Sequence, residues 1–157
     1  MFLNAGRGNP NWIATRAREA FFLLGQFALT ESKRDFEDDP NGLAGMPAKD
    51  GCYNRLARWS KRRKGDEDTP GAETLLGTVD FAIEKFGFDA DAFVPELTDS
   101  VIGDNYPVPD RALEHNEFVT HEYLMWAMCH GHRPAEKFDL YPVEGGTAAM
   151  CYIFKAL

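Results

Sequence analysis

Residues 138–157, FDLYPVEGGTAAMCYIFKAL, join an apolar run to a helix-forming run through a Gly-Gly-Thr turn. The run Phe138–Val143 is the clearest strand candidate of the chain, and a helix is predicted to follow the turn directly. Gly145 and Gly146 lack Cβ where the backbone must bend and can approach a ligand closely, and Thr147 adds a hydroxyl. Since a helix N-terminus carries unpaired N–H groups and a partial positive charge, this turn suits a phosphate. The same residues also fit a plain strand-to-helix turn that Thr147 caps.

Composition and charge limit the class of protein. The 157 residues are 44% hydrophobic and 13% aromatic, with a net charge of −8. This is enough apolar material for a core, and the negative charge argues against general binding to nucleic acid or to anionic membranes. No apolar run is long enough to cross a bilayer, and the opening MFLNAGRGNP lacks the features of a secretory signal. We therefore expect a cytoplasmic protein without nucleic-acid or membrane partners.

The cysteines and histidines predict neither a disulfide framework nor a metal site. Cys52, Cys129 and Cys151 are odd in number and form no CxxC pair, which is typical of reduced, structural thiols. His130 and His132 lie close to Cys129 in the sequence. Their spacing supplies no closed set of four ligands, so no metal is predicted.

Helical periodicity covers much of the chain. A helix is predicted from Thr15, with Thr15 as a possible cap and with Phe22 and Leu23 off its apolar stripe. An insertion is predicted near residues 33–69: Lys33–Lys49 is irregular, and a short basic helix follows within CYNRLARWSKRRK. The cationic face of this helix is expected to be solvated, the alternative being a nucleic-acid contact. The apolar stripe of the first helix consists of Ala17, Ala20, Phe21, Leu24, Phe27 and Ala28.

Capping residues and prolines set the bounds of the later helices. Thr69 and Pro70 are predicted to start a helix that ends at Gly87. Asp89 is predicted to cap the next helix, which Gly103 closes and which Pro95 can bend. A further helix is predicted from about Pro109 to Cys129.

Two other stretches contain candidate binding residues. In LNAGRGNPNW, residues 3–12, Arg7 lies between two glycines and could hold a carboxylate through its guanidinium fork, although an arginine in such a turn is often only solvated. In GDNYPVPDR, residues 103–111, the two prolines predict an ordered loop or an extended connection. The ring of Tyr106 can pack there while its hydroxyl reaches a polar partner.

Taken together and in this order, LNAGRGNPNW, GDNYPVPDR and FDLYPVEGGTAAMCYIF resemble the bacterial aspartate 4-decarboxylases. These are pyridoxal-phosphate enzymes of aminotransferase fold type I, which also have aspartate transaminase activity. The resemblance covers nearly the whole chain, includes REAFFLLGQFALTES, and is weakest over residues 33–69. It implies a partial α/β fold: residues 1–104 form a helical segment, and residues 105–157 begin the large cofactor-binding domain with its first strand. The implied reaction converts L-aspartate to alanine and carbon dioxide in a dimer-based homo-oligomer.

The resemblance also assigns residues to the cofactor and the substrate. It implies that Gly145, Gly146 and Thr147 hold the phosphate of pyridoxal 5'-phosphate, and that Tyr106 reaches the phosphate of the other subunit. Gly8 and Arg7 are expected near the substrate, where a cation could hold a carboxylate of aspartate. These six residues form the predicted site.

The predicted site contains no catalytic group. The chain corresponds to roughly the first third of such an enzyme, and the lysine that binds the cofactor covalently has no counterpart here. Lys137 and Lys155 are not in a Ser-x-Ser-Lys-like setting. We therefore expect the chain alone to be inactive. The alternative is a non-catalytic helical remnant or binding module of the same ancestry.

Overall fold

The computed structural model describes residues 13–34, 40–63, 69–103, 112–134 and 137–157, and these residues form two compact units, Met1–Asp104 and Asn105–Leu157. The described residues contain helices and no strand, so the predicted mostly helical structure is confirmed. None of these helices is long and apolar enough to cross a membrane. The helices are α1 (Thr15–Arg34), α2 (Cys52–Lys61), α3 (Gly71–Phe86), α4 (Ala90–Ile102), α5 (Glu114–Cys129) and α6 (Gly146–Ala156).

The strand predicted at Phe138–Val143 is wrong, because these residues have an irregular backbone. An isolated strand leaves its N–H and C=O groups without partners, and a sheet needs a neighbouring strand to satisfy them. The described part of the chain supplies no such neighbour. The apolar character of this run is therefore not sufficient to make it a strand.

The first unit contains a continuous apolar core. α1 packs on α3 and α4, and α2 packs on the same two helices. Phe27 of α1 is 1% exposed, and its ring meets that of Trp59 edge to face at a centroid distance of 5.7 Å. Burial of these side chains is the main stabilising term of the unit. The core cluster consists of Ala20, Leu23, Leu24, Phe27, Cys52, Leu56, Ala72, Leu75, Val79, Ala82, Phe93 and Val94.

The buried face of α1 differs from the predicted one. Leu23, predicted to lie off the stripe, is 4% exposed, whereas Phe21, predicted on the stripe, is 55% exposed. α1 has apolar residues on several faces, so helical spacing alone allowed more than one inward stripe. The observed face continues to Glu31, which is buried. Thr15 is the first helical residue and is therefore not the cap.

An ion pair between the buried Glu31 and the half-buried Arg55 joins α1 to α2. The Oε2 atom of Glu31 accepts a hydrogen bond from Nε of Arg55 at 2.5 Å. Arg55 also donates to the carbonyl oxygens of Asp50 and Ala48, each at 2.6 Å. Because one guanidinium serves the carboxylate and two backbone groups, it fixes the irregular segment before α2 against α1.

Carboxylates from other helices meet the N-termini of α2 and α3. Asp91 of α4 accepts hydrogen bonds from the amides of Gly51 at 2.9 Å and Tyr53 at 3.2 Å. Glu19 of α1 accepts one from the amide of Gly71 at 2.6 Å. These contacts satisfy amides that a helix leaves unpaired and place negative charge at the positive end of its dipole.

The predicted capping residues have mixed outcomes. Asp89 caps α4 as predicted, since its Oδ1 accepts from the amides of Asp91 and Ala92 at 2.8 and 3.0 Å. Gly87 and Gly103 follow α3 and α4 in the left-handed conformation and end them as predicted. The predicted cap at Thr69 is wrong, because its hydroxyl contacts the carbonyl oxygen of Arg63 at 3.5 Å and α3 has no side-chain cap of its own.

Candidate functional site

The turn before α6 takes a conformation that depends on glycine. Gly145 immediately precedes the helix with φ 116° and ψ 172°, and Gly146 is the first helical residue. An L side chain rarely adopts this φ. A Cβ built on either residue meets no atom within 4 Å, so space beside the turn is open. The turn thus places exposed backbone next to a helix N-terminus.

No side chain caps the N-terminus of α6. The interpretation of Thr147 as a cap is therefore wrong, and Thr147 is instead the second helical residue, exposed to solvent. The amide of Ala149 donates to the carbonyl oxygen of Gly145 at 3.0 Å. The amides before it, of Gly146, Thr147 and Ala148, have no acceptor within an α-helix. This end of the helix can therefore offer several N–H groups and a hydroxyl to one anion.

Charged residues at the two ends of α6 have different effects on an anion at the turn. Glu144 precedes the turn, and its Oε2 lies 3.5 Å from the hydroxyl of Tyr152, which can donate to it. The partner of this carboxylate is thus the Tyr152 hydroxyl, and the first amides of α6 stay uncapped. Lys155 is in the last turn, where a cation complements the helix dipole. The carboxylate of Glu144 is thus the nearest unfavourable charge in the sequence for an anion at the turn.

The predicted site residues fall into two groups. Gly145, Gly146 and Thr147 are consecutive around the start of α6. Arg7, Gly8 and Tyr106 lie outside the described residues. Gly145, Gly146 and Thr147 thus lie together at the start of α6 because they are adjacent in the sequence, and their role at a phosphate stays a prediction.

A second feature, which the sequence did not predict, is a cavity of about 430 Å³ beside α5. The His121 ring stacks on Phe138 with a centroid distance of 4.6 Å and an interplanar angle of 17°. Arg133 donates to Oε1 of Glu122 at 2.8 Å. The lining mixes both charge signs with apolar groups, so it favours no single class of ligand. It consists of His121, Met125, Arg133, Pro134, Lys137, Phe138 and Asp139.

Metal ligands are not clustered in the described ranges. Within them, no three His, Cys, Asp or Glu side chains lie close enough together to hold an ion. Cys129 is partly buried, whereas His130 and His132 are exposed. The turn at α6 is therefore the feature with the clearest chemical use, the binding of an anion.

Comparison with known proteins gives the family context of this turn. No family model matches the chain. Over all 157 residues, the chain is 41% identical to a bifunctional aspartate aminotransferase and L-aspartate beta-decarboxylase from a Pseudomonas species, and it spans 29% of the length of that relative. The family resemblance predicted from the three sequence stretches is confirmed: along its whole length, this chain is similar to a bifunctional aspartate aminotransferase and L-aspartate beta-decarboxylase.

Proposed function

We propose that the chain is the amino-terminal part of a pyridoxal-phosphate-dependent aspartate 4-decarboxylase, with aspartate transaminase activity as a second reaction. The assembled enzyme converts L-aspartate to L-alanine and carbon dioxide in the cytoplasm. In this proposal the start of α6 binds the cofactor phosphate. The 41% identity over the whole chain supports the family, and the name of the relative supports the two activities.

One observation carries the assignment of the phosphate site. The N-terminus of α6 follows a glycine at φ 116° and has no side-chain cap. A phosphate accepts hydrogen bonds from several donors, and the first amides of α6 and the Thr147 hydroxyl are donors close to one another in the chain. The residues present therefore fit this end of the cofactor. When bound, pyridoxal phosphate supplies an electron sink for the bond cleavage.

The remaining roles are proposed from the family resemblance. Tyr106 reaches the phosphate bound by a second subunit, which makes a dimer the smallest complete form of the enzyme. Arg7 and Gly8 lie beside the substrate. The Arg7 guanidinium binds a carboxylate of aspartate through paired hydrogen bonds and so orients it, a geometry that lysine cannot copy.

We propose a division of labour between the two units. Residues 1–104 form a helical segment of the enzyme, and residues 105–157 begin the cofactor-binding domain of an α/β fold of type I. The chain spans 29% of the length of its relative, so the catalytic groups are assigned to the rest of that length. This chain then contributes cofactor and substrate binding, but no group that moves a proton in the reaction.

A hybrid enzyme tests the phosphate site. In the hybrid, this chain replaces the matching part of the Pseudomonas relative. The change Thr147→Val removes the hydroxyl and keeps the shape, and loss of a hydrogen bond to a charged group costs about 1.5–3 kcal/mol. We expect about 10- to 150-fold weaker binding of pyridoxal phosphate, measured by equilibrium dialysis. Thr78→Val, at an exposed position of α3, is the matched control and should bind as the parent does.

Pyridoxal without its phosphate adds a second control. Because Thr147 is proposed to contact only the phosphate, its substitution should leave the weak binding of pyridoxal unchanged. Equal affinity of the parent and the Thr147→Val hybrid for pyridoxal phosphate would contradict the assignment of α6.

A further inference from the structure

Carboxylates from three other helices converge on the first residues of α2. Glu31 of α1 pairs with Arg55, and Asp91 of α4 accepts hydrogen bonds from backbone amides at the start of α2. The Tyr53 hydroxyl adds a third contact, because it donates to Oδ1 of Asp80 in α3 at 2.8 Å. Each of the other helices of the first unit therefore contributes one acceptor to this end of α2.

The buried surface of α2 is small by comparison. α2 buries three residues, whereas α1, α3 and α4 each bury five or more. One of the three is Ser60, whose Oγ has no hydrogen-bond partner within the described part of the chain. A buried hydroxyl without a partner favours states in which water can reach it. Apart from the partly buried contact of Trp59 with Phe27, α2 is thus held in place with little apolar burial.

The segment before α2 is tied to the helix itself. Arg55 donates to the carbonyl oxygens of Ala48 and Asp50, so these residues move with α2. The amide of Gly45, by contrast, bonds to a carbonyl oxygen of α1 at 3.1 Å. The boundary between the two parts therefore lies between these positions. We refer to residues 48–61 as the α2 flap.

The rest of the first unit does not need the α2 flap for its own packing. α1 packs directly on α3 and on α4. The Glu19 carboxylate of α1 also accepts a hydrogen bond from the amide of Gly71 in α3. Elements with little buried apolar surface open at a lower free energy than the whole domain. The three larger helices can therefore stay together when α2 separates from them.

We propose that the α2 flap opens and closes as one unit while α1, α3 and α4 stay packed, and that the ion pair of Glu31 with Arg55 is its latch. Of the three contacts at this end of α2, it is the one in which both partners are charged, and such hydrogen bonds are the strong ones. Glu31 is 3% exposed, so its carboxylate meets water only when the flap opens. Because the same guanidinium binds the carbonyl oxygens before α2, the helix and this segment move together.

The rate of alkylation of Cys52 measures the opening. This thiol of α2 is 0% exposed, and burial raises its pKa to about 11, so the reactive thiolate forms at weakly alkaline pH chiefly in the open state. The parent chain for this test carries Cys129→Ala and Cys151→Ala, which leaves Cys52 as its one cysteine. It is treated with iodoacetamide at low urea concentrations. We expect a rate that hardly changes with urea, because local opening exposes little surface.

Variants of the parent identify the latch. Glu31→Gln should raise the alkylation rate about tenfold, because the ion pair loses one of its charges. Hydrogen exchange should accelerate in residues 48–61 and stay unchanged in α3, as measured by mass spectrometry. Glu84→Gln is the matched control, since it makes the same chemical change at an exposed position of α3, and it should react as the parent does. Tyr53→Phe removes the bond to Asp80 and should raise the rate about threefold.

Ser60→Ala should act in the opposite direction. The closed state of this variant no longer buries a hydroxyl without a partner, so alkylation of Cys52 should slow about threefold.

Two results would overturn the proposal. In the first, the alkylation rate of the parent follows the urea dependence of global unfolding, which means that α2 separates only when the whole unit unfolds. In the second, Glu31→Gln leaves the alkylation rate unchanged or accelerates hydrogen exchange equally in all four helices. The first measurement needs no variant of Glu31, so it decides the matter even where Glu31→Gln does not fold.

Discussion

Helices α3 and α6 both begin at a glycine, but their first amides meet different surroundings. The amide of Gly71 donates to Glu19 at 2.6 Å, and a Cβ at Gly71 would lie 2.7 Å from Cγ of Glu19. At Gly146, no side chain caps the helix and a Cβ would meet nothing within 4 Å. The start of α3 is therefore occupied by the protein itself, whereas the start of α6 is available to an external anion.

The same difference extends to the two units. The first buries a core of apolar residues from four helices, and the second exposes apolar side chains along both of its helices. Folding free energy comes mainly from buried apolar surface, so we expect the first unit to be stable by itself and the second to gain stability from a partner.

The largest expected difference is between two phenylalanines. Phe27→Ala should lower the free energy of unfolding by about 3–5 kcal/mol, because it removes a buried ring and leaves a cavity. Phe154→Ala should change it by less than about 0.5 kcal/mol, since this ring is 69% exposed. Urea unfolding followed by circular dichroism measures both. Equal losses of unfolding free energy in the two variants would contradict the proposed difference in burial between the two units.

Cys52, but not Cys151, should make the stability of the chain depend on pH in the alkaline range. Burial, followed by the nearby Glu31 carboxylate, raises the pKa of Cys52 to about 11 from an ordinary 9.0. Between these values the unfolded chain loses the thiol proton and the folded one keeps it, so stability falls as the pH rises. The loss is about 2–3 kcal/mol across the interval.

The measurement is the unfolding free energy at several pH values from 8 to about 11.5. Replacing Cys52 by Ala should flatten the curve, and replacing the exposed Cys151 by Ala should not. Because lysines and tyrosines titrate alike in both variants, the difference between the curves reports the thiol. The same slope in both would contradict the assignment to Cys52.

The smallest effect concerns the close contact of α3 with α1. Gly71→Ala should destabilise the first unit by about 1–3 kcal/mol, because the new Cβ would also lie 2.8 Å from the backbone nitrogen of Ala20. The matched control is Gly77→Ala in the same helix, where a Cβ meets open space. That change should stabilise by about 0.5–1 kcal/mol. Thermal unfolding compares the two, and a neutral Gly71→Ala would show that the contact can relax.

Local signals in the sequence predicted those parts of the fold that depend on neighbouring residues. Asp89 and the glycines at 87 and 103 act within a few positions of the helix ends that they define, so composition and spacing were sufficient. The carboxylates that meet the starts of α2 and α3 come from residues 40 and 52 positions away. No local rule identifies such partners, because they depend on how the helices pack.

Two wrong predictions have related causes. Leu23 is buried and Phe21 is exposed, the reverse of the prediction. The reason is that α1 is apolar on several faces, and only the positions of α3 and α4 decide which face is buried. Phe138–Val143 has the composition of a strand, but strand formation depends on a partner elsewhere in the fold. The turn at Gly145 was predicted correctly in position because its glycines and the helix after it are adjacent in the sequence.

Aspartate turnover by the chain alone and by the hybrid enzyme tests the central claim most directly. Purified residues 1–157 and the hybrid, each with pyridoxal phosphate and L-aspartate, are assayed for carbon dioxide and alanine. Since the chain is proposed to bind the cofactor phosphate without supplying a catalytic group, it should release neither product, whereas the hybrid should release both in equal amounts. Turnover by the chain alone, or a correctly folded hybrid that binds the cofactor but releases no carbon dioxide, would contradict the account.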